Sequence, residues 1–120
     1  MQYTMLIYLT PEQFAARSDP QKREVFWDAF VPYMQALNAA GIVVAGAGLE
    51  PPETATTVDL RNGKRLVQDG PYADTKEQLG GFFVIDVPDL DTALDWAARY
   101  PTATGSVLEV RPTLHEPAGG

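Results

Sequence analysis

Residues 3 to 9 read Tyr-Thr-Met-Leu-Ile-Tyr-Leu. A strand points alternate side chains to opposite faces, so Tyr3, Met5, Ile7 and Leu9 share one face and Thr4, Leu6 and Tyr8 the other. Neither set is polar. A half-buried edge strand would show one solvated face, so this run predicts a central strand whose two faces are both covered. With 120 residues, 45% of them hydrophobic, the chain has room for one core and no second domain.

The elements that must flank this strand follow from local chemistry. Asp19 suits an N-cap and Pro20 the first helical position. Phe26, Phe30, Tyr33 or Met34, and Leu37 then recur at helical spacing up to Gly41, which is placed to close the helix in a left-handed conformation. Pro32 removes one N–H and predicts a kink rather than two helices, because the apolar stripe continues through it. Ile42 to Ala45 predicts a short strand, followed by Gly46-Ala47-Gly48 and then Pro51-Pro52, which cannot continue in a sheet interior, so that the chain turns out there. Thr56–Leu60 and Lys64–Gln68 flank Asn62-Gly63, a type I′ hairpin signal. Phe82–Val87 predicts a strand. Asp89 caps a second helix with Leu90, Ala93, Leu94 and Ala97 inward, and Ser106–Arg111 predicts the last strand.

With the hairpin taken as an insertion, the order is β-α-β-β-α-β. This is an α+β, ferredoxin-like arrangement in which both crossover helices lie on one sheet face. Residues 1 to 112 form that domain, and 113 to 120, rich in Pro and Gly, a flexible tail. The helix side takes Met5, Ile7, Leu9, Phe83, Ile85, Val87, Leu108 and Val110. The uncovered face carries Thr4, Leu6, Tyr8, Phe82, Val84, Asp86, Val107, Glu109 and Arg111. So much apolar surface predicts a homodimer that buries it and encloses the scattered polar groups in a shared cavity.

The densest local signal is Asp69-Gly70-Pro71-Tyr72-Ala73-Asp74-Thr75-Lys76-Glu77-Gln78-Leu79-Gly80-Gly81. It resembles the run DGPFAETKE, followed by a Gly pair, of the DGPF or YCII-related family. Tyr72 for Phe and Asp74 for Glu keep the ring and the charge. The resemblance extends from the first strand through Val84–Asp91, Ala93-Leu94, Trp96-Ala97 and Glu109–Pro112. It implies a ferredoxin-like domain pairing as a dimeric α+β barrel, with genes often beside those of extracytoplasmic-function sigma factors. It names no chemistry.

Asp69-Gly70-Pro71 is also ordinary turn chemistry, and Asp74 with Glu77 has the spacing of a capping box on one helical turn. That structural explanation carries more weight. The alternative is ligand contact by Asp69, Tyr72 and Lys76 around the side-chain-free Gly80 and Gly81. Tyr8, Asp86, Glu109 and Arg111 likewise read either as a dimer salt-bridge cluster or as acid–base machinery, a desolvated carboxylate being the base and Arg111 orienting an anion. The His and Asp pair proposed as an active site in relatives has no counterpart, since the one histidine is His115 in the tail. One His and no Cys support no metal site and no cofactor.

A net charge of −7 opposes binding to nucleic acid and to anionic membranes. The absence of Cys, of a basic and apolar leader, and of any spanning run predicts a cytoplasmic protein. The favoured function is a homodimer that binds a small molecule or regulates in a stress-linked setting. The alternative is a small cofactor-independent enzyme using the dimer cavity.

Overall fold

A computed structural model describes residues 1–101 and 106–115. Along the chain it has β1 (Gln2–Leu9), α1 (Pro11–Ala16), α2 (Arg23–Ala39), β2 (Val43–Gly48), β3 (Thr56–Asp59), β4 (Leu66–Asp69), β5 (Gln78–Asp86), α3 (Leu90–Ala98) and β6 (Val107–Pro112). Four strands make an antiparallel sheet in the order β2-β5-β1-β6. Strand β1 is central, as its two apolar faces require. Among the described residues no helix is long and apolar enough to cross a membrane.

Register fixes the faces. Met5 lies between Phe83 and Val110, and Leu6 between Phe82 and Glu109. Tyr3, Met5, Ile7, Leu9, Phe83, Ile85 and Val87 are buried with Tyr33 and Leu37 of α2 and Ala93 of α3, so the helices cover that face. Leu6, Tyr8, Phe82 and Val84, on the other face, stay half-buried, and Val107 is exposed.

Helix α2 is continuous through the exposed Pro32 and ends at Gly41 with φ of 69°, as its sequence dictates. Its start differs. The Asp19 carboxylate accepts the Gln21 N–H at 2.8 Å and caps a preceding turn, so the helix begins only at Arg23. The six-residue α1 is a full capping box, Thr10 with Gln13.

Several expectations need correction. Strand β2 does not end at Ala45 but keeps Gly46, Ala47 and Gly48 paired with β5, leaving the sheet only before Pro51-Pro52, because a small edge strand can lie close to β5: a Cβ on Gly46 would stand 2.8 Å from the Phe83 ring. The hairpin is not type I′, since Asn62 keeps a negative φ and only Gly63 is left-handed. Asp59 explains this. Its carboxylate accepts the Arg61 backbone N–H and the Arg61 guanidinium, which ends β3 early and lets Gly63 N–H close a turn on Leu60. In α3, Leu90 and Leu94 are exposed, and the inward stripe is Ala93, Trp96 and Ala97. The Tyr33 hydroxyl donates to the Trp96 carbonyl at 2.8 Å and fixes that rotation. Residue 113 is also tied down, its N–H donating to Gln2 and its hydroxyl 2.7 Å from that of Thr4. The rest of the expected tail from 116 onward lies outside the described residues.

Burial, reinforced by Tyr100, pushes the Tyr33 hydroxyl up from 10.0 to about 12. The neutral form is thus the folded form. Its stabilisation is complete below about pH 10, where the unfolded tyrosine is still protonated, and is lost as pH rises toward 12. Tyr33→Phe should therefore flatten the alkaline fall in urea-unfolding free energy. At neutral pH it should cost only about 1 kcal/mol, from the lost hydrogen bond.

Candidate functional site

The Gly80-Gly81 pair opens β5 at a bulge: Ile7 pairs with Gly81, Tyr8 with Leu79, and Gly80 is left between them. Both glycines are buried: a Cβ on Gly80 would run into the Leu9 side chain, and one on Gly81 would meet the Ala47 carbonyl oxygen. There a cavity of about 160 Å³ lies between the sheet and the first turns of α2. Its floor is Ile7, Leu9, Gly48, Gly80 and Gly81, and its walls are Phe26, Trp27, Phe30, Phe83 and Tyr100. The rings are locked edge to face, Trp27 on Phe26 at 5.0 Å, Trp27 on Phe30 at 5.6 Å and Phe30 on Tyr100 at 6.0 Å.

Among the described residues Arg17 is the one charged residue lining this space. The chain holds it by four contacts. Its guanidinium donates to the carbonyls of Leu49 and Gly80 and lies 4.9 Å from the Phe14 ring centroid, while the Trp27 indole N–H donates to its backbone carbonyl at 3.0 Å. No carboxylate within ion-pair distance faces it among the described residues. Two of its five donor directions go to backbone carbonyls, which leaves others for a guest. The Tyr100 hydroxyl makes no hydrogen bond among the described residues, and burial raises its pKa against the opposing pull of Arg17. An apolar, ring-lined space with one fixed cation and one unspent hydroxyl is built to hold a small molecule.

Neither Arg17 nor Tyr100 is singled out by sequence. Gly80 and Gly81 are, and both line the cavity. The rest of the motif lies elsewhere. Asp69 ends β4 and is exposed, as are Lys76 and Tyr72; the Tyr72 ring has the Arg61 guanidinium 5.8 Å from its centroid. Lys76 lines a separate groove with Phe14, Pro51 and Pro52. The expected helical turn at Asp74–Glu77 does not form. Instead the Gln78 amide donates to the carbonyls of Ala73 and Thr75, and the Thr75 hydroxyl donates to the Glu77 carbonyl.

On the uncovered face Glu109 and Arg111 pair along β6 at 3.5 Å. Asp86 sits opposite Gln2 and binds the Met1 ammonium at 3.1 Å, whereas Tyr8 sits beside Val107. Six residues of β1, about 20 Å at roughly 3.3 Å each, separate Tyr8 from the position of Asp86. The four residues therefore do not converge within one protomer. Asp86 instead shares a groove with Gln2, Thr113 and the exposed His115. No cluster of three potential metal-binding side chains occurs among the described residues.

The model of the YCII-related domain matches residues 1–115. The chain belongs to the YCII-related family. Among relatives, an uncharacterized protein of Rhizobium meliloti (strain 1021) is 38% identical over 121 residues, which cover 98% of this chain and 96% of the relative. A solved structure of 5-chloro-2-hydroxyhydroquinone dehydrochlorinase from Burkholderia phenoliruptrix AC1100, in complex with 2,5-dihydroxybenzoquinone, aligns over 97% of this chain and 96% of its own with a TM-score of 0.51. At 15% identity that likeness shows the α+β fold that this YCII-related chain shares, and no more.

Proposed function

We propose that this YCII-related protein is a homodimer of ferredoxin-like domains, paired through the uncovered sheet face as an α+β barrel, in which each protomer binds a small molecule beneath α2. The strand order and one-sided helix cover support the domain reading, and the apolar run of Leu6, Phe82, Val84 and Val107 supports the pairing. The observation that carries the binding reading is Arg17, a half-buried cation without a carboxylate partner among the described residues, lining an aromatic cavity. The donor directions that its two carbonyl bonds leave over can bond a guest. Binding is favoured over acid–base catalysis because Tyr8 and Asp86 stand at opposite ends of their strands within one protomer.

Gly48 supplies the test. A Cβ there meets nothing nearer than the Arg17 guanidinium at 3.9 Å, so Gly48→Leu can plug the cavity without displacing backbone. In a ligand-observed NMR screen of ring-sized acids, bases and neutral molecules, the wild type should bind members of the set and Gly48→Leu should bind none, with the melting temperature kept within about 2 °C. A wild type that binds nothing, or a plugged variant that binds as well, sinks the reading.

A further inference from the structure

We infer that the guest of this cavity is a small flat ring bearing one acidic group, its ring among Phe26, Trp27, Phe30 and Phe83 and its anion held by the Arg17 guanidinium and the Tyr100 hydroxyl. The inference rests on the binding reading above and adds the chemical class.

Size comes first. About 160 Å³ is close to the roughly 150 Å³ at which an apolar protein cavity takes up benzene, and falls short of the roughly 300 Å³ or more that drug-sized ligands use. Shape follows from the walls, whose rings offer faces and edges to a flat π-system rather than to a branched chain. Charge follows from Arg17. A planar guanidinium recognises a planar carboxylate or phenolate-type oxygen through charge-assisted bonds. Among the described residues only one cation lines the space, so a doubly charged phosphate would have one charge without a partner. The net charge of −7 works against anions at long range, but that field is screened beyond about 10 Å. Inside the cavity the fixed guanidinium dominates. The Tyr100 hydroxyl, protonated at neutral pH, adds one donor on the neighbouring wall.

Benzoate and benzamide test this directly, because they share a ring and differ in charge. Isotope-labelled protein is titrated with each at equal ionic strength, following the Trp27 indole and the Gly80 and Gly81 amides. Benzoate should shift all three signals and bind about tenfold or more tightly than benzamide. In Arg17→Gln, which keeps a donor for the Leu49 carbonyl, the two should bind alike. Should that variant fail to fold, Tyr100→Phe removes only a hydroxyl and should weaken benzoate severalfold while leaving benzamide unchanged. Equal binding of the two compounds by the wild type overturns the acidic-ring assignment while the binding cavity stands. No shift with either compound overturns both. Undiminished benzoate binding by Tyr100→Phe removes the hydroxyl from the site.

Discussion

Gly81→Val is expected to lower the melting temperature by roughly 10 °C or more, whereas Lys76→Met, five residues earlier in the same motif, should leave it within about a degree. The difference lies in what each side chain meets. A Cβ on Gly81 would stand 2.9 Å from the Ala47 carbonyl oxygen and 3.4 Å from the Gly48 Cα, both backbone atoms of the neighbouring strand β2. Backbone cannot rotate away as a side chain can, so β2 must shift and strain the ladder that ties it to β5. Valine adds two methyls to that clash, which puts the cost near the top of the roughly 1–3 kcal/mol range for overpacking. Lys76 is exposed and has no ion-pair partner among the described residues, so removing its charge takes little from the fold. Thermal unfolding followed by circular dichroism compares the two. A Gly81→Val protein that melts with the wild type would mean that β2 and β5 do not approach as closely as the register requires. A Lys76→Met protein that melts several degrees lower would give the exposed lysine a structural role.

The same contrast explains how much was legible in the sequence. Strand positions and faces were readable because alternation is local: Tyr3, Met5, Ile7 and Leu9 announce their burial by spacing alone. The Gly pair was readable as a place of close approach, though not as the floor of a cavity. What the chain hides is set by partners far away in sequence. Arg17 gains its meaning from Leu49, Gly80 and a tyrosine at position 100, and no motif of fixed spacing joins those positions. Helix α3 misled for a similar reason. Its apolar residues fit two stripes, and the hydrogen bond from Tyr33 on α2 selects the one with Ala93 and Trp96, leaving Leu90 and Leu94 outside. The turn at Asp74–Glu77 has capping-box spacing, but the Gln78 side chain takes the Ala73 and Thr75 carbonyls and holds the loop open.

Leu6→Asp is expected to convert a dimer at micromolar concentration into a folded monomer. Leu6 sits in the middle of the central strand on the uncovered face, with Phe82 on one side and Glu109 on the other. In the protomer it is only half-buried, so a carboxylate there still reaches water and the monomer keeps its core of Met5, Leu37 and Ile85 on the opposite face. In a two-fold pairing of these faces each substitution occurs twice, each beside Glu109 of its own protomer. Burying an unpaired charge costs on the order of 3 kcal/mol per site, so the dissociation constant should rise by at least about a thousandfold. Val25→Asp is the control, because Val25 is 70% exposed on α2, on the covered side of the sheet, and its change should leave association untouched. Light scattering coupled to size exclusion reads the mass of all three proteins, and circular dichroism verifies that each is folded. A monomeric wild type or a dimeric Leu6→Asp removes this sheet face as the interface. If Val25→Asp is the variant that dissociates, the protomers meet through their helices, and the bare face must be covered by something other than a second copy of the chain.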